Sequence, residues 1–195
     1  MRSAKILGDI VDSAIGAKTH FDMWWAQASE GRPEIRAVKD NHSDFFLAAQ
    51  DAHYVAYFIY FGQLFDKRAD SSSIRNYLKA AKSSADPAKF AAHSAIHAAL
   101  SKRAEPLLKI RHFRIAQLNA QLTETDVFSP LKITWFRIRD TIYDSADFVA
   151  QIAGASHGGQ VGIPREGRLE EATNALYAAI GTGEPHPLEG TSSFP

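Results

Sequence analysis

The sequence predicts an all-α protein, an antiparallel up-and-down bundle of four to five core helices plus a C-terminal helix. Apolar residues recur every three or four positions through most of the chain, and no segment alternates like a strand. The breaks between these segments are short, and helices joined by short loops pack as antiparallel neighbours.

The first helix is expected over about 4–28. Ile6, Ile10, Ala14, Ala17, Phe21 and Trp24 fall on one face, and Gly31 and Pro33 close the segment. A second helix is expected over about 43–67. Its stretch Tyr54 to Phe61 is apolar on every side, as in a central bundle helix. Asp70 to Ser73 reads as a turn whose serines can cap a short helix running to about Ala81. Asp86-Pro87 is an N-cap followed by proline at the first helical position, so a fourth helix starts there and runs toward Asn119, kinked by Pro106. Thr134 can cap a fifth helix striped by Trp135, Ile138, Ile142, Ala146, Val149 and Ile152. Gly154 to Gly162 reads as a linker, and a short amphipathic helix over about 168–180 follows. Residues 1–154 are thus expected to form the bundle, and 155–195 a glycine-rich linker, a short helix and a mobile tail.

Composition removes several classes of function. The chain has 195 residues, 45% of them apolar, with 12 Phe, 6 Tyr and 3 Trp, so it can bury a sizeable core. Lys plus Arg equals Asp plus Glu at 22 each, so any basic surface must be local. The absence of cysteine excludes disulfides, thiolate–zinc sites and cysteine nucleophiles, and suits a reducing cytoplasm. No signal peptide is expected, because Gly8, Asp9 and Asp12 interrupt any apolar N-terminal run. The most apolar stretch, Phe45 to Phe65, contains Gln50, Asp51, His53 and Gln63, and reads as a buried helix, not a membrane span.

The local basic surface is found from Ser101 to Leu122. Lys102, Arg103, Lys109, Arg111 and Arg114 face one acid there, Glu105. Such a stripe suits phosphate. It equally suits a solvated face near a helix C-terminus, where cations oppose the negative dipole end. Within it, Ile110 to Leu118 reads IRHFRIAQL. This resembles the signature of HEPN domains, in which an arginine is followed by a histidine, often as R-N-K-x-x-A-H. Arg111 stands at the arginine, His112 and Phe113 replace the next two residues, and Ala116 matches the alanine. Gln117 stands where the histidine is expected. Two further segments resemble the abortive-infection branch of this family: Leu64 to Leu78 (LFDKRADSSSIRNYL) and the fifth-helix start ITWFRIRD.

The resemblance implies an all-α bundle that pairs as a homodimer, bringing two motifs together, and, in active members, metal-independent RNA cleavage. Arginine can hold a phosphate, and histidine can move a proton near neutral pH. Gln117 forms hydrogen bonds but exchanges no proton near pH 7, and general acid–base catalysis is worth about 10²–10⁴-fold. The implied site is therefore Arg111, His112 and Gln117 in a degenerate catalytic role, with Arg111, Arg114, Lys109 and Arg103 binding phosphate of RNA or nucleotide. His112 is the one candidate to replace the missing histidine, although adjacent helical residues point about 100° apart. The expectation is a cytoplasmic protein with weak or lost endoribonuclease activity and no cofactor. Its partners are a second copy, RNA or nucleotide, or a partner protein, and not a membrane.

The alternative is a histidine-ligated metal site. His93 and His97 are spaced i, i+4 on one helical face, and His20 or His53 could add a third ligand. They read equally as ordinary histidines on an alanine-rich helix. A third class is a purely structural or protein-interaction bundle. Trp24 reads as core and Trp25 as its edge, although such a pair can also stack on bases. Ser156 and His157 fall in the glycine-rich run with no strand before them, which is a weak phosphate cradle.

Overall fold

The computed structural model describes residues 2–28, 33–112, 129–157 and 168–181. Its α-helices are α1 (Arg2–Ala28), α2 (Pro33–Asn41), α3 (Ser43–Leu64), α4 (Ile74–Ala81), α5 (Pro87–Ile110), α6 (Trp135–His157) and α7 (Arg168–Gly181). No strand occurs among the described residues. The bundle is all-α, as its periodicity requires.

α1 is the spine of the bundle, packing along α3 and also meeting α4, α6 and α7. The reason is its stripe: Ile6, Ile10, Ala14, Ala17, Phe21 and Trp24 are all buried. They meet Tyr57, Phe58, Phe61 and Leu64 of α3 in one core. Phe21 sits among the rings of Trp24, Trp25, Tyr57 and Tyr143 at centroid distances of 5.4–6.3 Å. Trp24 is buried and Trp25 lies at the edge against Phe136, so the pair is packing, not an open stacking platform. In α6, Ile138, Ile142, Ala146, Val149 and Ile152 are buried, and Trp135 alone of that stripe is partly exposed.

The helix starts follow their caps. The Asp86 carboxylate accepts the Lys89 N–H at 2.9 Å, with Pro87 at the first turn of α5. Thr134 Oγ1 accepts the Arg137 N–H at 3.3 Å to open α6. Ser73 occupies the N-cap of α4, yet its hydroxyl makes no cap bond and is buried without a hydrogen-bond partner. The preceding turn is held instead by Asn76, whose Nδ2 donates to the carbonyls of Arg68 (2.7 Å) and Ser71 (2.8 Å).

Three sequence expectations are corrected, and a fourth, the run of the fourth helix toward Asn119, falls mostly outside the described residues. Pro33 opens α2 instead of only ending α1, because proline fits the first turn of a helix. Lys39 of α2 then donates to the Gln27 carbonyl at 2.7 Å, tying the two helices. α3 is not covered all round: Phe45, Val55 and Ile59 are exposed, since an apolar run does not say which side receives a neighbour. α5 ends at Ile110, and Arg111 and His112 form a wider, π-type turn. The stretch from there toward Asn119 lies outside the described residues. α6 runs through Gly154 to His157, past the expected linker start, so Ser156 and His157 are helical. Burial of Val149, Ile152 and Ala153 outweighs the roughly 1 kcal/mol that glycine costs in a helix.

α7 packs on its own bundle, against α1 and α2. Val38, Phe46 and Tyr177 form a small second core with Ile180, and the Phe46 and Tyr177 rings stack at 4.8 Å.

Candidate functional site

Of the candidate residues of the basic stripe, Arg103, Lys109, Arg111 and His112 are described. Arg111 is half-buried and His112 is exposed. The Arg111 N–H bonds the carbonyls of both Leu107 and Leu108, which closes α5 and sets where the side chain leaves the helix. That side chain lies flat on α3 at Gly62. A Cβ placed on Gly62 would come within 2.5 Å of Arg111 Cδ, 2.6 Å of Nε and 2.9 Å of Cζ. Only a residue without a side chain allows this approach.

Asp66 lies within reach of the Arg111 charge. Burial alone would raise the Asp66 carboxyl, but hydrogen bonds from the Arg68 N–H and guanidinium, then the charges of Arg68 and Arg111, bring it below the ordinary value. Arg68 Nη2 sits 3.0 Å from Asp66 Oδ2, and the Arg68 N–H donates to Oδ1 at 2.9 Å. Asp66 and Arg111, far apart in the chain, therefore lie close enough for the charge of one to act on the other. Neither Gly62 nor Asp66 stood out as a site residue by sequence. Their only signal was that Asp66 belongs to the second resembling segment.

Beside Asp66 lies an open cleft of about 390 Å³ lined by Asp9, Asp12, Ser13, Tyr60, Gln63, Asp66, Arg68, Ser71 and Ser72. Its walls are cross-bonded: Ser72 Oγ donates to Asp9 Oδ2 at 2.5 Å, and Ser13 Oγ donates to Gln63 Oε1 at 3.0 Å. Bonds from Lys5 and then Ser72 hold the Asp9 carboxyl below its ordinary value, against a small opposing effect of burial. Three carboxylates make this cleft a poor phosphate pocket.

Arg103 reaches α6, where it pairs with Asp144 at 2.5 Å, with both side chains about half exposed. Lys109 is exposed. Arg114 and Gln117 lie outside the described residues. The structure thus seats Arg111 on Gly62, and pairs Arg103 with Asp144 of α6.

The four candidate histidines do not converge on one point. His93 meets the edge of Phe148 at 5.8 Å, and His97 stacks on Phe65 at 6.2 Å, with Ser101 Oγ 3.2 Å from its Nε2. His20 and His53 face each other instead, their Nδ1 atoms 2.8 Å apart. Among the described residues no group of three or more His, Asp or Glu side chains could hold a metal ion. The expected third ligand is therefore not supplied by His20 or His53, which are engaged with one another.

No helix among the described residues is long and apolar enough to cross a membrane. No curated protein and no solved structure matches the chain. The sequence pattern of the HEPN family described as AbiU2 matches residues 4–159, which spans α1 to α6, and the chain belongs to that family.

Proposed function

We propose that this HEPN domain binds RNA or nucleotide phosphate at Arg111 and that its nuclease activity is weak or lost. The observation that carries this reading is the seating of Arg111. Its stem is held against Gly62 and its charge lies near Asp66, which limits the freedom of an otherwise flexible side chain. An arginine held in place loses less entropy when a phosphate arrives. Guanidinium has five N–H donors, and with the stem seated on Gly62 its edge remains able to bind a phosphate. Exposed Lys109, and Arg114, would add charge to the same ligand. The family membership supplies the chemistry to expect, and Gln117 at the histidine position supplies the reason for weak turnover.

The reading includes a homodimer in the cytoplasm. Phe45, Ala52, Val55 and Ile59 form an exposed, mostly apolar stripe on α3, with Phe45 67% exposed. Apolar stripes of this kind favour burial against a partner. An inactive copy could equally serve as a regulator of another protein through the same face.

The test is RNA cleavage by purified protein in EDTA, beside Arg111→Ala, followed by RNA affinity for both. Weak cleavage lost in the variant supports an active site in which His112 or another group moves the proton. No cleavage, with RNA affinity that falls about tenfold or more in Arg111→Ala, supports a binding role. Equal RNA affinity in both proteins rejects the assignment of Arg111.

A further inference from the structure

The contact between His20 on α1 and His53 on α3 belongs to no part of the site described above. The two Nδ1 atoms are 2.8 Å apart, the ring centroids 5.1 Å apart and the ring planes inclined by 37°. A nitrogen-to-nitrogen distance this short requires a proton between the atoms, since two lone pairs facing at that range repel. One ring must therefore carry its proton on Nδ1 and the other must present Nδ1 bare.

The surroundings hold this arrangement in place. Tyr60 stacks on His20 at 5.5 Å and 9°. Tyr60 in turn lies on Gly16, where a Cβ would come within 2.7 Å of the phenol ring. Gly16, Tyr60, His20 and His53 thus form one layered contact along the α1–α3 seam.

We infer that His20 and His53 form an acid-sensitive clasp between α1 and α3, which accepts one added proton and opens on the second. The first added proton makes one ring an imidazolium that still donates from Nδ1 to its neutral partner, a charge-assisted bond. The second leaves both Nδ1 atoms protonated, two donors and two like charges at 2.8 Å, and the rings must part. Among the described residues, no carboxylate is hydrogen-bonded to either ring. The titratable groups on the pair are the two rings and Tyr60. On α1 the neighbouring ions, Lys18 and Asp22, are bound to each other and to Tyr143 of α6. Among the described residues, no charged side chain of α3, α6 or α7 is hydrogen-bonded to either ring. Burial holds both imidazoles below the ordinary value, and the charge of His20 lowers His53 further.

Opening the clasp has a consequence beyond the pair. Tyr60 also lines the cleft beside Asp66. Release of His20 removes the ring that Tyr60 stacks on and loosens one wall of that cleft. The inference stands whether or not Arg111 binds phosphate.

The experiment is a pH titration of the ¹⁵N-labelled full chain followed by histidine NMR. The clasp predicts a nitrogen–nitrogen coupling across the Nδ1–H···Nδ1 bond at neutral pH. It also predicts that both rings respond to two shared proton-binding steps, with the second at least tenfold weaker than in free histidine. The coupling should vanish at the second step, and the amide protection factors of residues 16–24, relative to unstructured exchange at the same pH, should fall there. In His53→Gln, His20 should titrate in a single step and the acid-induced loss of protection should disappear. Two independent single-step titrations, or no coupling at neutral pH in the unaltered protein, would overturn the inference, whatever the variant does.

Discussion

Arg111 lies across the backbone of α3 at Gly62, so close that a single added carbon on Gly62 would come within 2.5 Å of its side chain. The conformation of the arginine therefore depends on the absence of a side chain on a different helix. Gly62→Ala should evict the guanidinium without removing it. We expect RNA affinity to fall nearly as far as in Arg111→Ala. Overpacking costs about 1–3 kcal/mol, and alanine returns about 1 kcal/mol of helix propensity, so the fold should survive. Fluorescence anisotropy with RNA, paired with urea unfolding, checks both parts. Unchanged affinity in Gly62→Ala would mean that Arg111 needs no seat.

The pair Lys18 and Asp22 is almost fully buried, with 6% and 5% of the side chains exposed and 2.6 Å between Nζ and Oδ2. The Tyr143 hydroxyl donates to the same carboxylate, and Lys18 Nζ lies 4.3 Å from the Tyr143 ring centroid. This links α1 to α6. Removing one partner of such a pair costs about 3–5 kcal/mol, because the other charge stays buried alone. Lys18→Met should therefore destabilise by that order. The double variant Lys18→Met, Asp22→Leu should recover much of the loss. Urea midpoints of the three proteins decide this, and a double variant weaker than the single would contradict it.

Acid should weaken the fold in two stages. Burial, and then the positive charge of Arg75, lower His97 below its ordinary value, and His20 and His53 are lowered as well. A lowered folded pKa means that the unfolded chain takes up the proton first. Stability is thus complete above about 6.5 and is lost as pH falls below that value toward the folded ones. Asp9 and Asp66 are lowered too. Their contribution is present above the ordinary carboxyl value, about 3.9, and is lost as pH falls through the folded values. Urea unfolding from pH 8 to 4 should show the first decline near pH 6.5, and His97→Gln should make it shallower. An unchanged slope in His97→Gln would exclude that residue as a contributor.

Asp86 caps α5 through the Lys89 N–H. Asp86→Ala should cost about 1 kcal/mol. A loss near zero by thermal denaturation would show that Pro87 alone fixes the start of the helix.

If α3 is the dimer face, Val55→Glu or Ile59→Glu should give a monomer by sedimentation while leaving helicity intact. Both residues are more than a third exposed, so the substitutions disturb no core. A variant that remains dimeric moves the interface elsewhere.

The helical stripes were legible in the sequence because each is a local periodicity, and burial bears them out at every named position of α1 and at all but Trp135 of α6. The caps at Asp86 and Thr134 were legible for the same reason, since a cap acts within three residues of itself. α2 was missed because nine residues show too little of a period to read. The exposed side of α3 was missed because an apolar run states what can be buried, not what covers it. The site divided along the same line. Arg111 is a candidate by its neighbours in the chain, whereas Gly62 acquires its meaning only where the Arg111 side chain crosses α3. His20 and His53 likewise meet only because α1 packs along α3. The sequence specifies which faces must leave water, a free energy set locally by side-chain type. Which distant groups then touch depends on how those faces pair, and that was decided only by the packed bundle.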